Sequence, residues 1–273
     1  MNNLDLLQDF DEDLKQSLIR QLRNLWTHSS TAIEGNTLSL GETAFVIEEG
    51  LTVSGKPLKD HDEVVGHASA IELIWRYIAR DSGITKEDLF ALHKAIQTER
   101  ITDIYKPVGN WKVEPNGTTA ITDDQQQIFL EYAAPNAVPT LMENWFEMVN
   151  RFSKDKLDSS QALTAYAEIH LSLVRIHPFF DGNGRIARLV ANFPVINSGL
   201  PPIIIPAEKR REYIRLLSRY ELAVGQPQIG EPLLPNTELI VDFITFCGGS
   251  WKQSLKLVEA AREKQLERNQ EFH

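Results

Sequence analysis

The stretch His177–Arg188, HPFFDGNGRIAR, gathers one histidine, one aspartate, two glycines around an asparagine and two arginines. Pro178 disfavours helix at the residue before it, so a helix should end near Ile176. A new helix should begin around Asn183, which puts the loop DGNG at a helix N-terminus. Gly182 and Gly184 permit unusual backbone angles and close approach to a ligand. The unpaired N–H groups of that terminus form an anion site. Arg185 and Arg188 lie three apart and share nearly one helix face. Two guanidiniums beside an anion hole suit a di- or triphosphate. Asp181, just before the hole, can hold Mg²⁺, which takes one or two carboxylates plus phosphate oxygens. His177 at the edge can take a proton from an incoming hydroxyl.

Singly, each piece is ordinary. A Gly-Asn-Gly is usually a turn, two arginines usually a solvated helix face, a histidine before proline usually a loop residue. Their combination, with Phe179 and Phe180 expected to anchor the loop in the core, points to a site.

The elements that must position this loop read as helices. Leu14, Leu18, Leu22 and Leu25 form one stripe. Ser39 is a plausible N-cap for a helix closing at Gly50. Thr85 and Asp88 make a capping box, with Asp in place of the more usual Glu. Pro139 suits a first helical turn. Residues 159–176, 183–200 and 206–222 continue the helical period, and a last helix runs from Glu238 to about Gln265. The period is lost from Ile101 to about Thr122. There a Gly109-Asn110 pair, alternating Trp111 and Val113, and Pro115-Asn116-Gly117 predict a short hairpin with turns. The fold class is all-α with one small β-hairpin, and no internal repeat is visible. Residues 1–83 form an N-terminal helical segment, 84–223 a core, and 224–273 a linker with a C-terminal helix.

The chain has 273 residues, 42% of them hydrophobic, which is enough for a proper core. Its formal charge of −10 argues against a mainly electrostatic nucleic-acid binder. The N-terminus lacks a basic start and an apolar stretch, so no secretory signal is read. No apolar run approaches a membrane span. The single cysteine, Cys247, lies in an apolar run and reads as a buried small hydrophobe. A cytoplasmic location is the simplest expectation, without nucleic-acid or membrane partners.

HPFFDGNGRIAR resembles the signature of the Fic family, His-x-Phe-x-Asp/Glu-Gly-Asn-Gly-Arg-x-x-Arg, at every defined position. The resemblance extends from about Ile84 to Tyr220 and loosens beyond. It implies transfer of AMP from ATP to a Ser, Thr or Tyr hydroxyl of a target protein, with release of pyrophosphate. His177 would then be the general base and Asp181 the Mg²⁺ ligand. Gly182, Asn183, Gly184 and Arg185 would cradle the phosphates, Arg188 would reach the γ-phosphate, and Tyr213 would line the adenine pocket. The hairpin at Ile104–Pro115 resembles the family's flap, whose backbone at Trp111, Lys112 and Val113 would hold the target segment as an added strand. Lys106 and Pro107 stand where relatives often carry arginine and a more regular strand. A branch that phosphorylates its targets carries lysine at the position of Gly184, so glycine favours nucleotidyl transfer.

Upstream, SSTAIEGN resembles the family's inhibitory pattern, as Ser30, Glu34 and Gly35 within residues 29–36. Ser30 and Glu34 share one helix face, and Gly35 or Asn36 would close that helix in a left-handed cap. The resemblance implies that Glu34 pairs with Arg188 where the γ-phosphate should sit, giving an autoinhibited adenylyltransferase that also modifies itself. Two rivals remain open: removal of AMP on the same fold, with the glutamate positioning water, and a non-catalytic nucleotide-sensing module. A homodimer is left open.

Overall fold

The computed structural model describes residues 5–80, 82–98, 103–121, 126–235 and 238–271. It is helical, with one two-stranded antiparallel sheet among the described residues. The helices are α1 (Glu12–Ile33), α2 (Leu40–Glu49), α3 (Leu58–Ala79), α4 (Lys86–Ile96), α5 (Val138–Phe152), α6 (Ser159–Ile176), α7 (Asn183–Val190), α8 (Phe193–Asn197), α9 (Arg210–Val224) and α10 (Glu238–Glu271). The strands are β1 (Gly117–Ile121) and β2 (Gln127–Glu131). No described helix is long and apolar enough to cross a membrane.

The leucine stripe of α1 is buried as expected, and α1 continues without a break to Ile33. Ser39 and Glu42 close a capping box on α2, which ends at Gly50 with φ 67°. Thr85 and Asp88 do the same for α4, so the shorter aspartate suffices. Helix α6 is the centre of the molecule, buried on nearly every face from Ala162 to Ile176 and packed by α5, α7, α8 and α10. Segments 1–83, 84–223 and 224–273 all contribute to the same main core, for example Trp26, Trp145 and Trp251. Cys247 is free and fully buried in α10.

The hairpin lies later in the chain than the sequence analysis placed it. β1 pairs with β2 in the register Gly117↔Glu131 to Ile121↔Gln127. Asn116-Gly117 is not a turn. Gly117 opens β1, where a Cβ would stand 2.4 Å from the Leu130 carbonyl oxygen and 2.5 Å from the Phe129 ring. Residues 111–113 do not form a strand. The Lys112 N–H is donated to the Pro178 carbonyl instead, at 2.9 Å. The predicted helix over 183–200 is two helices, because Pro194 restarts the turn after Ala191 and Asn192. α10 runs past Gln265 to Glu271, and Arg268 reaches Asp13 at 2.6 Å.

Asn192 fixes the far end of α7. Its fully buried side chain donates to the carbonyls of Arg188 and Ile203 and accepts from the Ile203 N–H at 2.7 Å. Asn192→Leu strands those backbone groups, so it should destabilise the fold by about 3 kcal/mol. Urea unfolding measures this directly. A change below about 0.5 kcal/mol, the range of neutral surface substitutions, would mean that the chain at 203 is held by other contacts.

Candidate active site

The end of α6 sets the geometry. His177 is its C-cap, in the left-handed conformation with φ 51°, and is the only described non-glycine residue with positive φ. That conformation is strained for a side chain other than glycine, and Pro178 blocks any continuation of the helix. The loop then turns back into α7 at Gly182, whose φ is +78°. A Cβ there would also press on Ile96, at 3.1 Å.

Asn183 stitches this loop. Its Oδ1 accepts from the Phe179 N–H and its Nδ2 donates to the Phe179 carbonyl, both at 2.9 Å. The side chain thereby ties the start of α7 to the loop. Phe179 is fully buried and stacks on His93 at 3.9 Å between ring centroids. Phe180 is only half-buried, beneath the Lys106 ammonium at 5.0 Å, so one phenylalanine anchors the loop rather than two.

His93 has no counterpart in the sequence reading. Its Nδ1 accepts from the Gly109 N–H at 2.7 Å, which leaves Nε2–H to donate to the Asp181 carbonyl at 3.1 Å. Burial pushes its pKa down to about 4, consistent with a neutral ring holding this tautomer. His93 thus ties α4, the 109 turn and the backbone of Asp181 together. It lies 88 residues from Asp181, so nothing local in the sequence could reveal it.

The loop and α7 form one wall of a cleft of about 370 Å³. His177, Asp181, Gly182, Asn183, Gly184, Arg185, Arg188 and Tyr213 all line it, together with Glu34 from α1 and Tyr132 from the end of β2. Most of α7 is buried, and its N-terminal N–H groups lack partners one turn back in the helix. Arg185 is buried, donates to the Ile96 carbonyl at 3.1 Å and lies 3.5 Å from Asp181. The Asp181 carboxylate is 65% exposed toward solvent and, among the described residues, held by no shorter ion pair. One exposed carboxylate beside an anion-binding helix end fits a Mg²⁺ ion that takes its other ligands from phosphate and water.

His177 Nδ1 faces the Val174 carbonyl at 3.1 Å, a contact that requires Nδ1 to carry the proton. Nε2 is then the free lone pair. Burial pushes the His177 pKa down to about 3, with Lys112 adding to the shift while the Val174 contact and Asp181 oppose it. The imidazole is a neutral base at physiological pH. Lys112 is buried, its Nζ donates to Asn116 Oδ1 at 2.6 Å, and desolvation lowers its pKa to about 8. Trp111 packs edge-on against Phe90 at 4.5 Å, and of the three flap residues expected, only Val113 is openly exposed.

Arg188 is the most heavily engaged side chain in the cleft. Its Nε donates to Ser30 Oγ at 3.0 Å and its Nη2 to the Ser30 carbonyl at 2.9 Å. The same Nη2 meets Glu34 Oε1 at 2.6 Å. Its Nη1 donates to Tyr213 Oη at 3.3 Å, and Tyr213 Oη is 2.9 Å from His170 Nε2. Burial opposes the charge of Arg188, but Glu34 and Tyr213 outweigh it and hold the pKa above its usual value. Tyr213 is almost wholly buried, so besides lining the cleft it supports Arg188.

Glu34 is placed by the end of α1. It is the C-cap residue, followed by Gly35 at φ +103°. Arg210 donates to the Ile33 carbonyl at 2.6 Å. Asn36 Nδ2 donates to the Asp60 carbonyl and to Glu63, and the Thr37 N–H and hydroxyl both donate to Asp60. Gly184 leaves room for the pair, since a Cβ there would sit 2.9 Å from Glu34 Oε1.

Residues 83–194 match the Fic/DOC family. The chain carries a Fic domain. It is 33% identical over 197 residues to the protein adenylyltransferase fic-1 of Caenorhabditis briggsae, across 72% of this chain and 36% of that protein. It is 31% identical over 214 residues to the protein adenylyltransferase fic-1 of Caenorhabditis elegans, across 77% of this chain and 39% of that one. The chain thus spans little more than a third of these curated relatives. In structure it is similar to a Fic domain-containing signaling protein from Bacteroides thetaiotaomicron, at a TM-score of 0.80 and 26% identity over 94% of both chains. It is also similar to residues 134–508 of Fic-1 from C. elegans, at a TM-score of 0.69 and 25% identity over 93% of this chain and 67% of that one.

A pKa near 3 means that His177 stays unprotonated as pH falls through 6.5, where an unfolded histidine binds its proton. Its NMR ring resonances should therefore remain those of the neutral Nδ1–H form at pH 5. Between the two pKa values the unfolded chain binds the extra proton, so this residue makes stability rise with pH there. A titration midpoint near 6.5 would contradict the desolvated, Val174-bonded ring.

Proposed function

We propose that this protein is an autoinhibited protein adenylyltransferase. The observation that carries the reading is a single cleft holding a neutral His177, an open helix N-terminus and the two buried arginines Arg185 and Arg188. The substrates are ATP, with Mg²⁺, and a target protein bearing a Ser, Thr or Tyr hydroxyl. The curated relatives named protein adenylyltransferases support the activity.

The target oxygen attacks the α-phosphorus of ATP, and the bond from that phosphorus to the bridging oxygen of pyrophosphate breaks. His177 Nε2 takes the hydroxyl proton, which its neutral ring and free lone pair allow. The N–H groups at the start of α7, around Gly182 to Arg185, receive the phosphate oxygens, and Arg185 adds a fixed positive charge. Arg188 receives the γ-phosphate. Asp181 is the protein ligand for Mg²⁺, which when bound draws charge from the phosphate oxygens. The hairpin β1–β2, rather than residues 111–113, offers the strand edge along which a target segment can lie.

Glu34 restrains this chemistry. Its 2.6 Å contact occupies the guanidinium that the γ-phosphate needs. The carboxylate is tethered, so its effective concentration at Arg188 is high without any ligand. Each ~1.4 kcal/mol in favour of the inhibited pose lowers the competent population about tenfold. Self-modification falls under the same restraint.

Removal of AMP is the second reading. Glu34 favours it, because its carboxylate is 42% exposed within the same cleft as His177 and could orient a water molecule. Incubating an AMP-modified target with the wild-type protein and with Glu34→Gly separates the two. Glutamate-dependent loss of AMP supports removal.

Mass spectrometry after incubation with Mg²⁺-ATP tests the main reading. Glu34→Gly should raise AMP incorporation by about tenfold or more over wild type. A variant that binds Mg²⁺-ATP yet labels no faster than wild type would remove autoinhibition from the account. In the Glu34→Gly background, His177→Ala should lower transfer by roughly 10²–10⁴-fold. Calorimetry should still show ATP binding in that double variant. Substantial transfer without His177 would overturn the assignment of the base.

A further inference from the structure

His177 is fixed at one ring atom by Val174, and one hydrogen bond does not by itself set the plane of an imidazole. A second contact does. The Tyr132 ring lies flat on the His177 ring, with centroids 3.6 Å apart and planes inclined by 2°. Tyr132 lines the cleft and is 45 residues upstream, outside the motif that carries the other site residues. It belongs to the segment that leaves β2.

The tyrosine is itself held at several points. Its N–H donates to the Asn116 carbonyl at 3.1 Å, closing the base of the hairpin. Its carbonyl accepts from Gln226 Nε2 at 2.7 Å. The buried Lys112 ammonium lies 5.9 Å from the ring centroid. Gln226 belongs to the connection between α9 and α10, which buried Arg175 of α6 holds through the carbonyls of Gly225 and Leu233. A line of contacts thus runs from the connection at 225–233, beyond the matched domain, through Tyr132 to the face of His177.

We propose that Tyr132 is the positioning residue for His177, its ring locking the imidazole in the plane that points Nε2 into the cleft. The proposal rests on the reading of His177 as the base. A ring free to turn about its Cβ–Cγ bond would divide its time among orientations, of which one presents Nε2 to the hydroxyl. The stack removes the others before substrate arrives, so the effect belongs in turnover rather than in nucleotide affinity. Because Tyr132 hangs from the hairpin, the segment proposed to receive the target also sets the base.

The test compares Tyr132→Phe, which keeps a flat ring, with Tyr132→Leu, which does not, both in the Glu34→Gly background. Thermal unfolding checks that each variant is folded. Steady-state labelling should show kcat reduced about tenfold or more in the leucine variant, with KM for ATP within about twofold of the parent. The phenylalanine variant should retain at least about half of kcat. In parallel, ligand-free ¹⁵N NMR should show one dominant Nδ1–H tautomer of His177 in the parent and the phenylalanine variant, and averaged signals in the leucine variant. Unchanged kcat and unchanged tautomer in Tyr132→Leu would overturn the proposal. So would equal losses in both variants accompanied by a raised KM, which would make Tyr132 a general support. If the parent transfers no AMP at all, the functional reading fails, and the NMR comparison alone decides whether the stack holds the ring.

Discussion

The contact between Glu34 and Arg188 is the constraint on which the rest depends. One partner comes from the first helix and the other from the seventh, 154 residues later. An arginine as buried as Arg188 must have its charge answered, and the protein answers it with Ser30, Glu34 and Tyr213. Ser30 and Tyr213 are neutral, so only Glu34 neutralises the charge. A half-exposed carboxylate is also the member of this set that a competing anion can replace, since water is ready to receive it. On the proposed reading this contact defines the resting state, and the exposed side of Glu34 allows it to be reversed. Gly35, Asn36, Thr37 and Arg210 all serve to put that carboxylate there. Asn192, through the Arg188 carbonyl, holds the other side.

The loop between α6 and α7 solves a related problem with opposite means. Its backbone must point N–H groups at a ligand while its side chains hold it shut. Asn183 does the closing, Phe179 anchors, and His93 and Asn116 take up the loose carbonyls of Asp181, Phe179 and Phe180. The backbone N–H groups of the first turn of α7 are left for the ligand. The His177 ring is kept neutral by desolvation, against the pull of Asp181, which suits a group proposed to begin the reaction with a free lone pair. On the proposed reading Arg185 and the base are set before any nucleotide binds, whereas Arg188 becomes available only when Glu34 leaves it.

Much of this was legible in the sequence where it was written locally. Pro178 announced the end of α6, Gly182 and Asn183 the start of α7, and the Ser30–Glu34 spacing the shared face that meets Arg188. Thr85 and Asp88 announced a cap. What was not legible came from long-range contacts. Gly117 looked like a turn residue because its neighbours are proline and asparagine, whereas the Leu130 carbonyl and the Phe129 ring across the sheet are what demand glycine. Trp111 and Val113 alternate as a strand would, but Lys112 spends its backbone N–H on Pro178. That the Asn183 side chain ties the loop to Phe179 was likewise not legible. His93 and Tyr132 carry no motif at all, and only the folded chain brings them to Asp181 and His177.

The central claim is that Glu34 and the γ-phosphate compete for Arg188. Calorimetric affinities of Mg²⁺-ATP and Mg²⁺-ADP for the wild-type protein and for Glu34→Gly test it most directly, because the two ligands differ only in that phosphate. The account predicts nearly equal affinities for the wild type, where Arg188 is taken. It predicts a preference for ATP of about tenfold or more once the carboxylate is removed. The same ATP-to-ADP ratio in both proteins would contradict it.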